Sequence, residues 1–377
     1  MRINKYDCFV SALGLYMFTN ITYRLFPQAI SPNRIIGILI FLSILLMYMT
    51  SLRKSDVFLG IYLISVATVS CLTTNDVSRF LEHIQYYIIT VLILWKLKNK
   101  KFRDALCKSL LRKKRFLLVM IYLCVLSIII AFFDPRSFSY GFTGFAQGAH
   151  PFISGITLIF CMYAFITYTE TINVKQLLCY MVLIVAVCLG AARSYLLSIA
   201  LLTLILYFVK VKKIQWKVIV AFIIIFAIVI FLPETPIFSR FSSSVNQGMY
   251  SGQDAIGAIT SGRTVFWKLD LRAFADLPRY KQLFGAGFDY IYTYNLNYYG
   301  VEIWAHNDFI HLLVSIGIIG VAGYICILLA LFYNLFLDIR RGYGKIKHPI
   351  IYAVIYIVGL ACINGFYTYQ HYVYGAF

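Results

Sequence analysis

Trp304-Ala305-His306-Asn307-Asp308-Phe309-Ile310-His311 ends a long polar interruption of the chain and opens an apolar run that continues to Leu337. Roughly 20 apolar residues of helix cross a bilayer. The run over 307–337 exceeds that, so its first turns are expected to be exposed or tilted ahead of the span proper. Comparable apolar runs fill most of the remaining sequence. Of 377 residues, 61% are hydrophobic and 13% charged, against the roughly 25% charged usual in soluble domains. This composition implies an all-α, polytopic membrane protein, a single transmembrane domain over 1–377 in which lipid covers the helices.

About eleven spans are expected, near 8–24, 34–51, 56–72, 82–97, 116–133, 151–169, 175–190, 193–210, 215–232, 307–337 and 349–366. Lys and Arg gather in cytoplasmic loops. Here they sit after span two (Arg53, Lys54), span four (Lys96 through Arg115), span eight (Lys210, Lys212, Lys213, Lys217) and span ten (Arg340, Arg341, Lys345, Lys347). These are all even-numbered connections, on the side of the basic N-terminus. The large loop 233–306 then falls on the opposite, periplasmic or extracytoplasmic side.

The formal net charge of +19 does not point to nucleic acid, because the basic residues lie in short loops between apolar runs and not on a soluble domain. The nine cysteines are scattered, mostly in or beside apolar helices, without metal-ligand spacing. Met1-Arg2-Ile3-Asn4-Lys5 leads into a first span with no small-residue cleavage site, and reads as that span rather than as a removed signal peptide.

Within the loop, Pro233-Glu234-Thr235-Pro236 stops the preceding span, and a Ser- and Gly-rich passage follows from Ser242 to Gly262. Arg263 to Asp276 has an amphipathic helical pattern, with Val265, Phe266, Leu269 and Ala273 on the apolar face and Arg263, Lys268, Asp270 and Arg272 elsewhere. Pro278 ends it, and Gly285 and Gly287 predict a tight turn. Tyr290, Tyr292, Tyr294, Tyr298 and Tyr299 suit either sugar stacking or a membrane-interface belt.

Three positions on this side carry chemistry. Arg193 lies in the short turn Gly190-Ala191-Ala192-Arg193-Ser194-Tyr195, as an interfacial anchor or a ligand to an anion. Arg263 opens the amphipathic helix, where a cation opposes the helix dipole unless an anion accompanies it. His306 is followed by Asn307 and Asp308, either of which suits an N-cap, and His311 shares the helix face of Asp308. Guanidinium forks match diphosphate oxygens, and histidine is the side chain best matched to proton transfer near neutral pH. A task follows: arginines hold a diphosphate while His306 takes a proton from an incoming hydroxyl. No DxD, carboxylate-rich or Cys/His cluster calls for a metal, and no nucleotide fingerprint is present. The donor chemistry that fits is a lipid-linked diphosphate.

Gly190-Ala191-Ala192-Arg193-Ser194, Ser261-Gly262-Arg263-x-x-x-Trp267, Phe284-Gly285-Ala286-Gly287, and His306-Asn307-Asp308-Phe309-Ile310 followed by Gly317-Ile318-Ile319-Gly320 together resemble the O-antigen polymerase and ligase superfamily over roughly residues 190–325. The resemblance implies a bacterial inner-membrane glycosyltransferase of the GT-C type, with 11–12 transmembrane helices and its site facing the periplasm. It implies inverting transfer from an undecaprenyl diphosphate-linked oligosaccharide, without metal or other cofactor. The acceptor is another lipid-linked repeat unit in the polymerase and lipid A-core in the ligase. Arg193 and Arg263 would bind the diphosphate and His306 would activate the acceptor hydroxyl. Asn307, Asp308, His311, Trp267 and Tyr195 would be supporting neighbours. Membrane lipid, a chain-length regulator and a flippase complete the expected partners, and nucleic acid is not among them. Twelve spans with both termini inside are the family pattern, whereas eleven are counted here. A transporter of lipid-linked sugar is the contrasting class, but it calls for charged residues near the membrane midplane, and the span interiors are nearly free of charge.

Overall fold

The computed structural model describes residues 4–26, 32–49, 52–138, 142–146, parts of 152–166, 174–189, 263–300 and 302–340. Within them the chain is helical. The helices are α1 (Lys5–Ile21), α2 (Pro32–Met49), α3 (Lys54–Thr73), α4 (Val77–Leu97), α5 (Lys100–Arg112), α6 (Lys114–Ala131), α7 (Val174–Leu189), α8 (Arg263–Ala275), α9 (Arg279–Phe284), α10 (Tyr290–Tyr299) and α11 (Asp308–Arg340). Among the described residues there is no strand, only an isolated bridge between Phe138 and Phe142. The expected spans 193–210, 215–232 and 349–366 and the first part of the large loop lie outside the described residues.

Among the described residues four helices, α3, α4, α6 and α11, are long and apolar enough to cross a membrane. Large apolar side chains point outward along them and along α2, among them Ile38, Leu42, Leu46, Phe58, Ile61 and Ile64. A water-soluble bundle would bury such residues, whereas lipid accepts them, and helices satisfy their own backbone groups there. The protein is an all-α polytopic membrane protein.

Polar pairs fix which helix ends lie together. Asp7 of α1 accepts from Arg112 of α5 at 2.9 Å, and Arg103 of α5 pairs with Asp338 near the end of α11. Asp56 at the start of α3 takes Trp95 Nε1 at 2.7 Å and Lys96 Nζ at 3.1 Å from the end of α4. One end of the bundle therefore carries Arg53, Lys96, Arg103 and Arg112, the basic connections of the sequence. The opposite end carries Thr73, Asp76, α8 to α10 and the start of α11.

Two boundaries differ from expectation. The basic stretch after span four is not a loop: Asn99 caps α5 through the N–H of Lys101 at 3.1 Å, and Phe102, Leu106 and Leu110 form a buried stripe beneath exposed Lys101, Lys108 and Arg112. Span four begins five residues earlier than the apolar pattern suggests, because Asp76 accepts from Ser78 N at 2.9 Å and Arg79 N at 3.2 Å. That N-cap carries Val77 to Leu81, Arg79 among them, onto the helix.

Candidate functional site

α11 is broken inside its first turns. Gly317 has φ 71° and ψ 179°, so the carbonyls of Val314 and Ser315 lose the helical donors four residues on. The extended segment Gly285-Ala286-Gly287 supplies replacements: Ala286 N donates to Val314 O at 2.8 Å and Gly287 N to Ser315 O at 3.1 Å. The expected tight turn at Gly285 and Gly287 is instead this strand-like splice, which the freed carbonyls demand. The backbones approach too closely for a side chain. A Cβ at Gly285 would lie 2.2 Å from Ser315 O, and one at Gly317 2.4 Å from Leu283 O.

The splice delivers Phe288 and Asp289 to the start of α4. Phe288 N donates to Thr74 Oγ1 at 3.2 Å, and Asp289 Oδ2 accepts from Asn75 N at 3.0 Å and Asp76 N at 3.3 Å. α10 follows. Its Ile291, Tyr292 and Asn295 are buried, while Tyr290, Tyr294 and Tyr298 stack along another face with ring centroids 5.9 and 4.4 Å apart. The tyrosines thus divide by helical spacing into a buried set and a ladder that ends in exposed Tyr298.

α8 packs on the same assembly. It spans Arg263 to Ala275, close to the expected limits, but its buried residues are Asp270 and Ala273. Asp270 belongs to the face that the sequence pattern treats as polar. Asn295 Nδ2 donates to Asp270 Oδ1 and to Ile303 O, both at 3.0 Å. Burial pushes the Asp270 carboxyl up to about 7, against a smaller lowering by the Asn295 bond.

The loop leading to α11 is held from both sides. Trp267 Nε1 donates to Ala305 O at 2.7 Å, and Ala305 is fully buried. His306 follows with φ 50°, in the left-handed region. Such backbone costs on the order of 1–3 kcal/mol and persists where the surroundings enforce it. The His306 ring lies 4.5 Å from that of Trp304. Asn307 Oδ1 accepts from Phe309 N at 3.0 Å and Ile310 N at 3.1 Å, which makes Asn307 the N-cap of α11 rather than Asp308. Asp308, His311 and Ser315 are fully buried at helical spacing on one face of α11.

The structure therefore brings His306, Asp308, His311 and Trp267 into one assembly. Arg263 joins it through α8: it precedes Trp267 by one turn and shares its face. Arg193 and Tyr195 lie outside the described residues. Two residues of α4 were not singled out from the sequence. Arg79 stacks its guanidinium 3.8 Å above the Tyr292 ring and pairs with Glu302. His83 places Nε2 2.9 Å from Tyr292 Oη. Among the described residues no group of three His, Cys, Asp or Glu has the geometry to hold a metal.

This end of the bundle defines a membrane protein with a histidine-centred polar site at a helix head. Residues 178–325 match the family model described as O-antigen ligase, and in that segment the chain is similar to the O-antigen polymerase and ligase superfamily. The match takes in α8 to α10, His306 and the start of α11, but not α3 or α4. The comparison with curated proteins finds no match.

Proposed function

We propose that the protein is a repeat-unit polymerase of O-antigen or a similar surface polysaccharide, acting at the periplasmic face of the bacterial inner membrane. The observation that carries this reading is His306, held at a positive φ against Trp304 within the family-matched segment. The donor is an undecaprenyl diphosphate-linked glycan, and the acceptor is a hydroxyl at the non-reducing end of another lipid-linked repeat unit. The acceptor oxygen attacks the anomeric carbon as the bond from that carbon to the diphosphate oxygen breaks. His306 takes the hydroxyl proton. Attack opposite the leaving group inverts the anomeric centre. The lipid diphosphate departs with its charge held by Arg263 and Arg193, the preorganised stabilisation that usually contributes most to such a step. The Tyr290, Tyr294 and Tyr298 ladder offers aromatic faces to sugar rings.

A ligase that transfers the same glycan to lipid A-core is the second reading, favoured by the description of the matched family model. One experiment tests both. His306→Ala, produced at normal level in cells deleted for the native chain, is expected to abolish mature polymer. Core capped with a single repeat unit marks a dead polymerase. Uncapped core with polymer still on its lipid marks a dead ligase. Normal lipopolysaccharide banding rules out His306 as the base.

A further inference from the structure

We infer that His83, on α4 and outside the family-matched segment, is a positioning residue for His306, acting through a continuous stack of rings. This rests on the reading of His306 as the base. Tyr292 Oη lies 2.9 Å from His83 Nε2. The His83 ring lies 5.0 Å from His311, His311 meets Trp304 edge-on at 6.0 Å, and Trp304 meets His306 at 4.5 Å. Phe288 lies flat against His83 at 5.5 Å and 9°. These rings come from α10, α4, α11, the loop before α11 and the splice before α10.

His83, His311 and Phe288 are buried, and close packing prevents one ring from moving without its neighbours. Stacking alone does not define how a ring is turned about its own axis, whereas the bond between His83 and Tyr292 does. The start of α4 is also fastened to the loop around it. Arg79, one turn before His83, pairs with Glu302, and Asp289 takes the backbone N–H groups of Asn75 and Asp76. A polar ring inside an apolar span is costly, and phenylalanine would fill the same space. What histidine adds is the directional bond that registers α4 against α10, and through His311 and Trp304 sets the place of His306, whose backbone conformation needs outside support.

The test uses purified full-length protein in lipid nanodiscs, with an undecaprenyl diphosphate-linked repeat unit as substrate. In His83→Phe and in Tyr292→Phe, kcat is expected to fall about 10- to 100-fold, the scale of a roughly 1 Å misplacement of a catalytic group, while KM stays within about 2-fold. The double variant is expected to be no slower than either single one, because both remove one shared bond. His83→Gln keeps a polar atom within reach of Tyr292 and is expected to recover at least about half the turnover. A second measurement needs no activity: carbethoxylation of His306 by diethyl pyrocarbonate, followed by mass spectrometry, is expected to quicken at least about 3-fold in both phenylalanine variants as the stack loosens. Faster modification with no glycan transfer by the parent protein would leave the positioning role standing and sink the glycosyltransferase reading. Unchanged kcat and unchanged modification in folded Tyr292→Phe overturn the inference. So does a fall in unfolding temperature without a fall in kcat.

Discussion

The indole N–H of Trp267 donates to the carbonyl of Ala305 at 2.7 Å, and this bond registers α8 against the residue beside His306. Arg263 precedes Trp267 by one helical turn on the same face. The arginine proposed to hold the diphosphate and the histidine proposed to take the proton are thus spaced by one hydrogen bond.

Trp267→Phe keeps an aromatic ring but removes the donor, leaving the fully buried Ala305 carbonyl without it at a cost of about 1–3 kcal/mol. Turnover is expected to drop about 10-fold or more as the two groups lose register, with the protein still inserted. Glycan transfer in membranes, normalised to protein level, checks this. A parent-like rate would show that α8 is set in place by other contacts.

The three glycines of the splice do not stand equal to Gly300, although all four have positive φ. Alanine at Gly285 or Gly317 meets backbone atoms at 2.2 and 2.4 Å, which no rotamer change relieves. Strain of about 1–3 kcal/mol from φ adds to that clash, so either variant is expected to fall apart at the site end or fail to accumulate. Gly300→Ala meets nothing within 4 Å and is expected to cost only about 1 kcal/mol. Thermal unfolding in detergent and limited proteolysis between α8 and α11 rank the variants. Equal tolerance of all three would mean that α11 closes over the splice without it.

Much of this arrangement is legible in the residues. The Arg263–Ala275 helix, its stop at Pro278 and the overlong apolar run after His306 follow from local pattern. The splice does not, because the partner of Gly285–Gly287 is a helix break some thirty residues on, and no local rule pairs the two. Asp270 stands on a polar stripe by spacing alone, and its burial comes from Asn295 on another helix. His83 is hidden for a related reason: the apolar pattern of span four starts where the histidine sits. An arginine and a histidine four residues apart at the head of a span were a usable signal, and α5 was masked by a density of charge that reads as loop.

Asp270 turns this packing into a pH dependence. Its Oδ2 and the Oδ1 of Asn295 are buried acceptors with no donor among the described residues. A proton on the carboxyl converts one acceptor into a donor, and burial accordingly raises its pKa from 3.8 to about 7. A group that binds its proton more tightly folded than unfolded stabilises the fold when protonated. Its contribution is greatest below the unfolded value, declines as pH rises from about 4 to about 7, and levels off above that. At about 1.4 kcal/mol per pH unit the window carries on the order of 4 kcal/mol. Asp270→Asn keeps an oxygen for the Asn295 bond, adds a donor and has no proton to lose. The difference in unfolding temperature between variant and parent, measured in detergent from pH 4 to pH 8, is expected to grow in favour of the variant and to plateau above pH 7. Subtracting the two profiles removes the titration of every group they share, so parallel curves would show that the carboxyl is charged in the folded protein throughout that range.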